Sequence, residues 1–189
     1  MGRPKALVEL DGEPLVRRAL RVLADGGCSP LVVVLGAAAD DVRAVLPAGV
    51  RSVVADDWES GMGASLRTGL AALDSDPGCD AALVHLVDLP GVTAKAVARL
   101  IAGPVEDHTL RRATYDGRPA HPVLLGRAHW AGVRAAATGD AGARGYLAGH
   151  PGIEPVEVGD VAAPEDVDTP EQLARLSRRG PAGGRTPRA

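Results

Sequence analysis

Phenylalanine is absent from this chain, and only two tryptophans and two tyrosines stand in its 189 residues. The core must therefore be aliphatic, and little aromatic surface is left to stack nucleic-acid bases. Excess positive charge is missing too: the formal charge is -3, which argues against a general polyanion binder, so no nucleic-acid partner is expected. No apolar run approaches the length of a membrane span, and the first residues lack the charged, apolar, small-residue order of a signal peptide. No membrane partner is expected, and the predicted location is cytoplasmic. Cys28 and Cys79 lie far apart without metal-like spacing, which predicts free thiols in a reducing compartment.

What is present is an Ala-, Val- and Leu-rich chain, 46% hydrophobic, long enough for one domain with a real core. Helical and extended patterns alternate along it. Ala6 to Leu10 reads as extended, Asp11-Gly12 as a turn into a helix from Pro14 to about Ala24, and Leu31 to Leu35 as a strand covered on both faces. A helix over Asp40–Leu46, a strand over Ser52–Ala55 and a helix over Met62–Leu73 follow. Then come a buried strand over Ala81–Val87 and a helix over Ala94–Ile101. This rhythm predicts an α/β, three-layer Rossmann-like fold with a mostly parallel sheet. After Pro104 the pattern changes. Leu110–Tyr115, the turn Asp116-Gly117 and His121–Leu125 predict a small hairpin insertion. Helices near Trp130–Ala137 and Ala143–Gly149 and a strand over Glu154–Val158 complete the pattern. Thr169-Pro170-Glu171-Gln172 opens the last helix with a capping box. One domain over residues 1–179 is expected, with a disordered Gly-, Pro- and Arg-rich tail from Gly180 onward.

In an open parallel sheet, ligands bind beyond the carboxyl ends of the strands. That rule selects Asp88 after one strand, the segment Trp58–Ser65 between a strand and a helix, and Asp166 and Asp168 before the last helix. Two acidic sites at strand ends, with Arg3 and Lys5 at the start of the chain, suit a magnesium nucleotide: carboxylates hold the metal and cations the phosphates. Each feature alone has an ordinary reading. Asp-Leu-Pro is commonly a turn, Asp168 serves as well to assist a cap, Gly61 and Gly63 suit any tight turn, and Asp140 with Arg144 suits a weak surface pair. Their order and spacing shift the balance.

Taken together, the motifs resemble the nucleotidyltransferases of the molybdenum cofactor pathway, within the broad group of single-domain NTP transferases. The resemblance runs from Met1 to about Leu176. It rests on Met1-Gly2-Arg3-Pro4-Lys5 as the end of a glycine-rich loop, on Trp58 through Leu70, on Asp88-Leu89-Pro90, and on Tyr115-Asp116-Gly117 with His121-Pro122-Val123. Gly139-Asp140-Ala141-Gly142-Ala143-Arg144 and Asp166-Val167-Asp168-Thr169-Pro170 complete it. The resemblance implies transfer of CMP, or GMP, from CTP or GTP to the phosphate of a molybdopterin-type acceptor, with release of pyrophosphate. The cofactor is Mg²⁺, held by Asp88 and Asp168, and Lys5 acts beside them. Arg3, Lys5, Gly61, Gly63, Ser65 and Asp88 would bind the nucleotide. His121, Asp140 and Arg144 would line the acceptor, and a molybdoenzyme or its maturation chaperone is the implied protein partner. The resemblance also implies a strand and most of a phosphate loop ahead of Met1, so the natural start is expected upstream. The chain as it stands is expected to bind NTP weakly and transfer nothing measurable. Two alternatives stay open: transfer to a sugar, isoprenoid or lactate phosphate, and a non-catalytic nucleotide-binding relic.

Overall fold

A computed structural model describes residues 4–179; Met1 to Arg3 and the expected tail from Gly180 lie outside the described residues. After a short 3-10 turn over Lys5–Leu7, strands β1 (Glu9–Leu10) and β2 (Glu13–Pro14) pair antiparallel. Asp11-Gly12 is thus the tip of a two-residue hairpin and not a direct strand-to-helix turn. Both residues take positive φ, 54° and 81°, as a type I′ turn needs. Helix α1 (Leu15–Asp25) follows, with Pro14 in the cap position rather than inside the first turn.

Strands β3 (Val32–Leu35) and β4 (Arg51–Val54) flank helix α2 (Ala39–Val45) and pair in parallel. Helix α3 (Met62–Asp74) leads to β5 (Ala81–Val84), then α4 (Ala94–Leu100), β6 (Leu110–Tyr115) and β7 (Arg118–Gly126). Helices α5 (Trp130–Ala136) and α6 (Arg144–Leu147), strand β8 (Glu154–Glu157) and helix α7 (Pro170–Arg179) complete the order. The larger sheet runs β5-β7-β6-β8, with β6 and β8 parallel and the other pairs antiparallel. The hairpin β6–β7 is therefore the centre of that sheet, and residues Pro122 to Gly126 of β7 are buried.

Strand β5 stops three residues before the expected Val87. Its last partner on β7 is Val123, and Pro122 beyond it has no N–H to continue the ladder. The turn Asp116-Gly117 repeats the pair of positive φ angles of the first hairpin, here 51° and 74°, and joins Tyr115 to Arg118.

Aliphatic clusters fill both faces of the larger sheet. On one, Val92, Val97 and Leu100 from the α4 region meet Tyr115 and Val158; on the other, Leu70 of α3 and Val133 of α5 meet Val123, Leu125 and Trp130. The indole N–H of Trp130, 1% exposed, donates to the Leu125 carbonyl at 2.8 Å, so the buried ring leaves no polar atom unmet. Arg111 closes the C-terminal end of α4, donating to the carbonyls of Leu100, Ala102 and Pro104 at 3.1, 2.8 and 3.2 Å. The last helix begins as its sequence requires: Gln172 N–H donates to Thr169 Oγ1 at 3.2 Å, and Thr169 N–H donates back to Gln172 Oε1 at 2.8 Å. Among the described residues no helix is long and apolar enough to cross a membrane. Cys28 and Cys79 are both free thiols, and burial pushes both up from the ordinary thiol range.

Candidate active site

The carboxyl ends of the strands gather the first three residues of interest. The Lys5 ammonium donates to Asp88 Oδ2 at 2.8 Å and to Asp168 Oδ1 on its other side. Lys5 and Asp168 are 163 positions apart in sequence, yet one cation joins the two carboxylates. Burial alone would lower the Lys5 pKa, but the hydrogen bonds it donates to Asp168 and Asp88 hold it above the ordinary value. The same bond to Lys5 holds Asp168 below the ordinary carboxylate range. Main-chain bonding sets this meeting, because Val167 N–H donates to the Asp88 carbonyl at 2.9 Å. Asp168 is not the cap of α7; Thr169 and Gln172 do that work, which leaves its carboxylate to face Lys5.

The donor set fits a divalent cation with oxygen ligands. Two carboxylates already share one positive charge, and such an ion commonly takes one or two carboxylates and completes its shell with water and substrate phosphate. Among the described residues no cluster of three or more His, Cys, Asp or Glu side chains is placed to hold a metal alone, so any ion here depends on the substrate for further ligands.

Beside Asp88 lies a second group, partly foreseen. His121 follows the turn at Asp116-Gly117, and the Tyr115 hydroxyl donates to the His121 carbonyl at 3.0 Å. That bond is a physical reason for the spacing between Tyr115 and His121-Pro122. His121 Nδ1 stands 3.4 Å from the Val84 carbonyl, and burial is the main cause that lowers its pKa. His85 and Arg112 are near enough to interact with it electrostatically, and both were missed from the sequence. Burial, reinforced by His121, brings His85 down to about 4, and its Nδ1 has no partner among the described residues. Burial also lowers Arg112, and neighbouring Arg144 adds to the shift, which places Arg144 by the same group. The signal available for Arg112 was only alternation along β6. Arg111 closes α4, while Arg112 turns to the Ala120 carbonyl at 3.2 Å.

Asp140 Oδ1 accepts from Met62 N–H at 3.4 Å, at the first residue of α3. Gly61 and Gly63 make room for this same loop. A Cβ on Gly61, at φ +106°, would lie 2.5 Å from the Gly139 carbonyl carbon, and one on Gly63 would lie 2.9 Å from the Ala137 backbone. Arg67 fastens the loop further, donating to the Ala137 carbonyl at 2.6 Å and to Asp57 at 2.7 Å. Ser65 lies within α3, half-buried. Arg3 is outside the described residues.

A mixed α/β fold with paired carboxylates around a cation at its strand ends defines a class of enzyme that handles nucleotide phosphates. The chain matches the MobA-like NTP transferase domain over residues 1–155; it belongs to that family and is a nucleotidyltransferase. It is 38% identical to nicotine blue oxidoreductase of Paenarthrobacter nicotinovorans over 186 residues, 93% of this chain and 89% of that one. The solved homologue of Mycobacterium tuberculosis Rv0371c from Mycobacterium sp. strain JC1 is 31% identical. Its TM-score is 0.80, with coverage of 95% of this chain and 89% of that one. The complex of Rv0371c from M. tuberculosis H37Rv with manganese is 26% identical, with TM-score 0.75 and coverage of 93% and 91%.

Proposed function

We propose that this chain's reaction is transfer of CMP or GMP from CTP or GTP to the terminal phosphate of a molybdopterin-type acceptor. An acceptor phosphate oxygen attacks the α-phosphorus, the bond from that phosphorus to the β-phosphate oxygen breaks, and pyrophosphate leaves. A phosphate monoester is ionised near neutral pH, so the protein has no proton to remove. Its task is to align two polyanions and offset their repulsion. The observation that carries the reading is the Lys5 ammonium held between Asp88 and Asp168 at the strand ends.

Asp88 and Asp168 would hold the divalent cation, which supplies charge neutralisation at the reacting phosphate; Mg²⁺ is the proposed ion, and the manganese complex of Rv0371c supports a divalent metal. Lys5 and Arg3 would hold the triphosphate. Ser65, with the backbone at Gly61 and Gly63, would face the base. His121 and Arg144, joined by Arg112, would receive the acceptor, with Asp140 positioning the loop beside them.

The test measures pyrophosphate with CTP and GTP, Mg²⁺ or Mn²⁺, and molybdopterin beside sugar, isoprenoid and lactate phosphates. It uses the chain itself and the chain with an apolar strand and glycine-rich loop fused ahead of Met1. Release that depends on molybdopterin supports the proposal. Release with another acceptor moves the substrate, and no release from either protein overturns nucleotidyl transfer by this site. The 38% identity to an enzyme named for nicotine blue supports a second reading, redox turnover of that dye. Bleaching of nicotine blue with a reduced nicotinamide cofactor, without pyrophosphate release, would favour it.

A further inference from the structure

The proposed reaction asks two things of one place. Asp88 and Asp168 are to hold a divalent ion, yet the Lys5 ammonium already lies between them. It is 2.8 Å from Asp88 Oδ2 and hydrogen-bonded to Asp168 Oδ1. An ion that bridges those same two oxygens must stand where the ammonium stands. A divalent ion beside an ammonium would also suffer close like-charge repulsion, so the two occupancies exclude each other. The fold decides which partner moves. Val167 N–H donates to the Asp88 carbonyl at 2.9 Å, which joins the main chain at the two acids independently of Lys5. The main chain of Lys5 is fixed as well. Leu7 N–H donates to the Pro4 carbonyl and Val8 N–H to the Lys5 carbonyl, each at 3.0 Å. Val8, 2% exposed, seats that turn in the core with Leu10 and Leu15. The Lys5 ammonium, by contrast, has no partner among the described residues except the two carboxylates. Its side chain is 38% exposed on a flexible stem, so it can turn away without any backbone movement.

We propose that Lys5 is the resident counter-ion of this site: it keeps Asp88 and Asp168 paired and closed to a bare divalent ion, and it gives up its place when the ion enters. The inference rests on the metal site of the proposed reaction and adds an order to it. A bare ion has to drive Lys5 from its two carboxylates into water. An ion that arrives with a polyphosphate brings Lys5 a new anionic partner, so one set of ion pairs is exchanged for another. Metal and polyphosphate therefore bind with positive coupling, and by linkage each strengthens the other equally. Lys5 thus discriminates in favour of the metal–nucleotide complex and against the free metal ion.

The chain has only two lysines, Lys5 and Lys95, and Lys95 is exposed on α4. Amine acetylation followed residue by residue therefore reads Lys5 against an internal standard, without any assay of activity. In the unmodified chain, saturating Mn²⁺ should speed acetylation of Lys5 by about fivefold or more and leave Lys95 unchanged. Electron paramagnetic resonance of Mn²⁺ gives the second measurement. Lys5→Met should bind one Mn²⁺ about tenfold or more tightly than the wild-type chain. Lys5→Arg, which keeps the charge, should show no such gain, and adding Asp168→Asn to Lys5→Met should remove it. Acetylation of Lys5 that ignores saturating Mn²⁺ overturns the proposal, and so does equal Mn²⁺ affinity in the wild-type and Lys5→Met chains. If those equal affinities are both lost on Asp168→Asn, the metal site stands and only the role of Lys5 fails. Mn²⁺ binding that is indifferent to Asp168→Asn in both backgrounds sinks the metal site, and this proposal with it.

Discussion

At the residue scale the site depends on charges that meet only in three dimensions. Asp88 and Asp168 are not packing residues: both are ion-paired with Lys5, and their side chains keep 22% and 51% of their exposure. In the protein with an apolar strand and glycine-rich loop fused ahead of Met1, Asp88→Ala or Asp168→Ala should lower pyrophosphate release by roughly three orders of magnitude, with the far-UV circular dichroism and Tm nearly unchanged. Near wild-type release by either variant in Mg²⁺ would reduce that carboxylate to a turn residue. His85 gives a prediction of a different kind. Its folded-state pKa of about 4 lies below the ordinary histidine value of 6.5, so between those limits the folded protein binds fewer protons than the unfolded chain. Stability should therefore fall as pH drops from about 6.5 to about 4, and level off below. Calorimetric Tm values of His85→Leu should depend less on pH across that window; an unaltered slope would mean that other groups carry the acid sensitivity. The two acidic motifs were legible because they sit at strand ends. His85 and Arg112 were not, because nothing in their spacing says which neighbours the fold brings to them.

At the element scale the hairpin β6–β7 does more than its sequence announced. Glu157, on β8, accepts from Asp116 N–H and Gly117 N–H at 3.0 Å, from Gly159 N–H at 2.9 Å and from the Thr114 hydroxyl at 2.9 Å. Bonds from Gly117 and Gly159, more than any other cause, hold its carboxyl down to about 2. This carboxylate stabilises the fold above its unfolded pKa of about 4.5, and that contribution disappears as pH falls toward 2. Glu157→Gln should accordingly lower Tm at pH 7 and by less at pH 3.5, where part of the wild-type advantage is already gone. An equal deficit at both values would show that the carboxylate's charge is not what the turn needs. The other end of β7 is intolerant of bulk: a Cβ on Gly126 would meet the Asp107 carbonyl oxygen at 2.2 Å. Gly126→Ala should cost about 1–3 kcal/mol, a drop of roughly 2–12 °C in Tm. A wild-type melting curve would show that the 107–109 loop moves aside freely. The turn residues and the capping box could be read from sequence because their partners are local. The central place of β7, the short β5 and the Asp140 bond to α3 could not, because each depends on a partner tens of residues away.

At the scale of the whole molecule, alternation of elements announced three layers, and aliphatic clusters do fill both faces of the larger sheet. The division of the described strands into the pair β3-β4 and the larger sheet β5-β7-β6-β8 was not announced by that alternation. Periodicity marks where strands lie, and it is silent about which strand pairs with which. Isothermal titration should find CTP and GTP binding to the unfused chain at least tenfold weaker than to the chain fused to a strand and glycine-rich loop, with measurable transfer only in the latter, because preorganised backbone donors are worth about 3 kcal/mol each in such sites. Equal turnover by the two proteins would show that the loop is dispensable. The main-chain bond from Val167 to the Asp88 carbonyl carries a last consequence. It docks the second acid against the first by backbone alone, downstream of the irregular stretch from Gly159 to Asp166. That stretch is tied down as well, since Ala163 N–H donates to the Gly91 carbonyl at 3.0 Å and the Thr93 hydroxyl donates to the Val161 carbonyl at 2.9 Å, so the gap between the two carboxylates is held by successive stitches to the segment after Asp88.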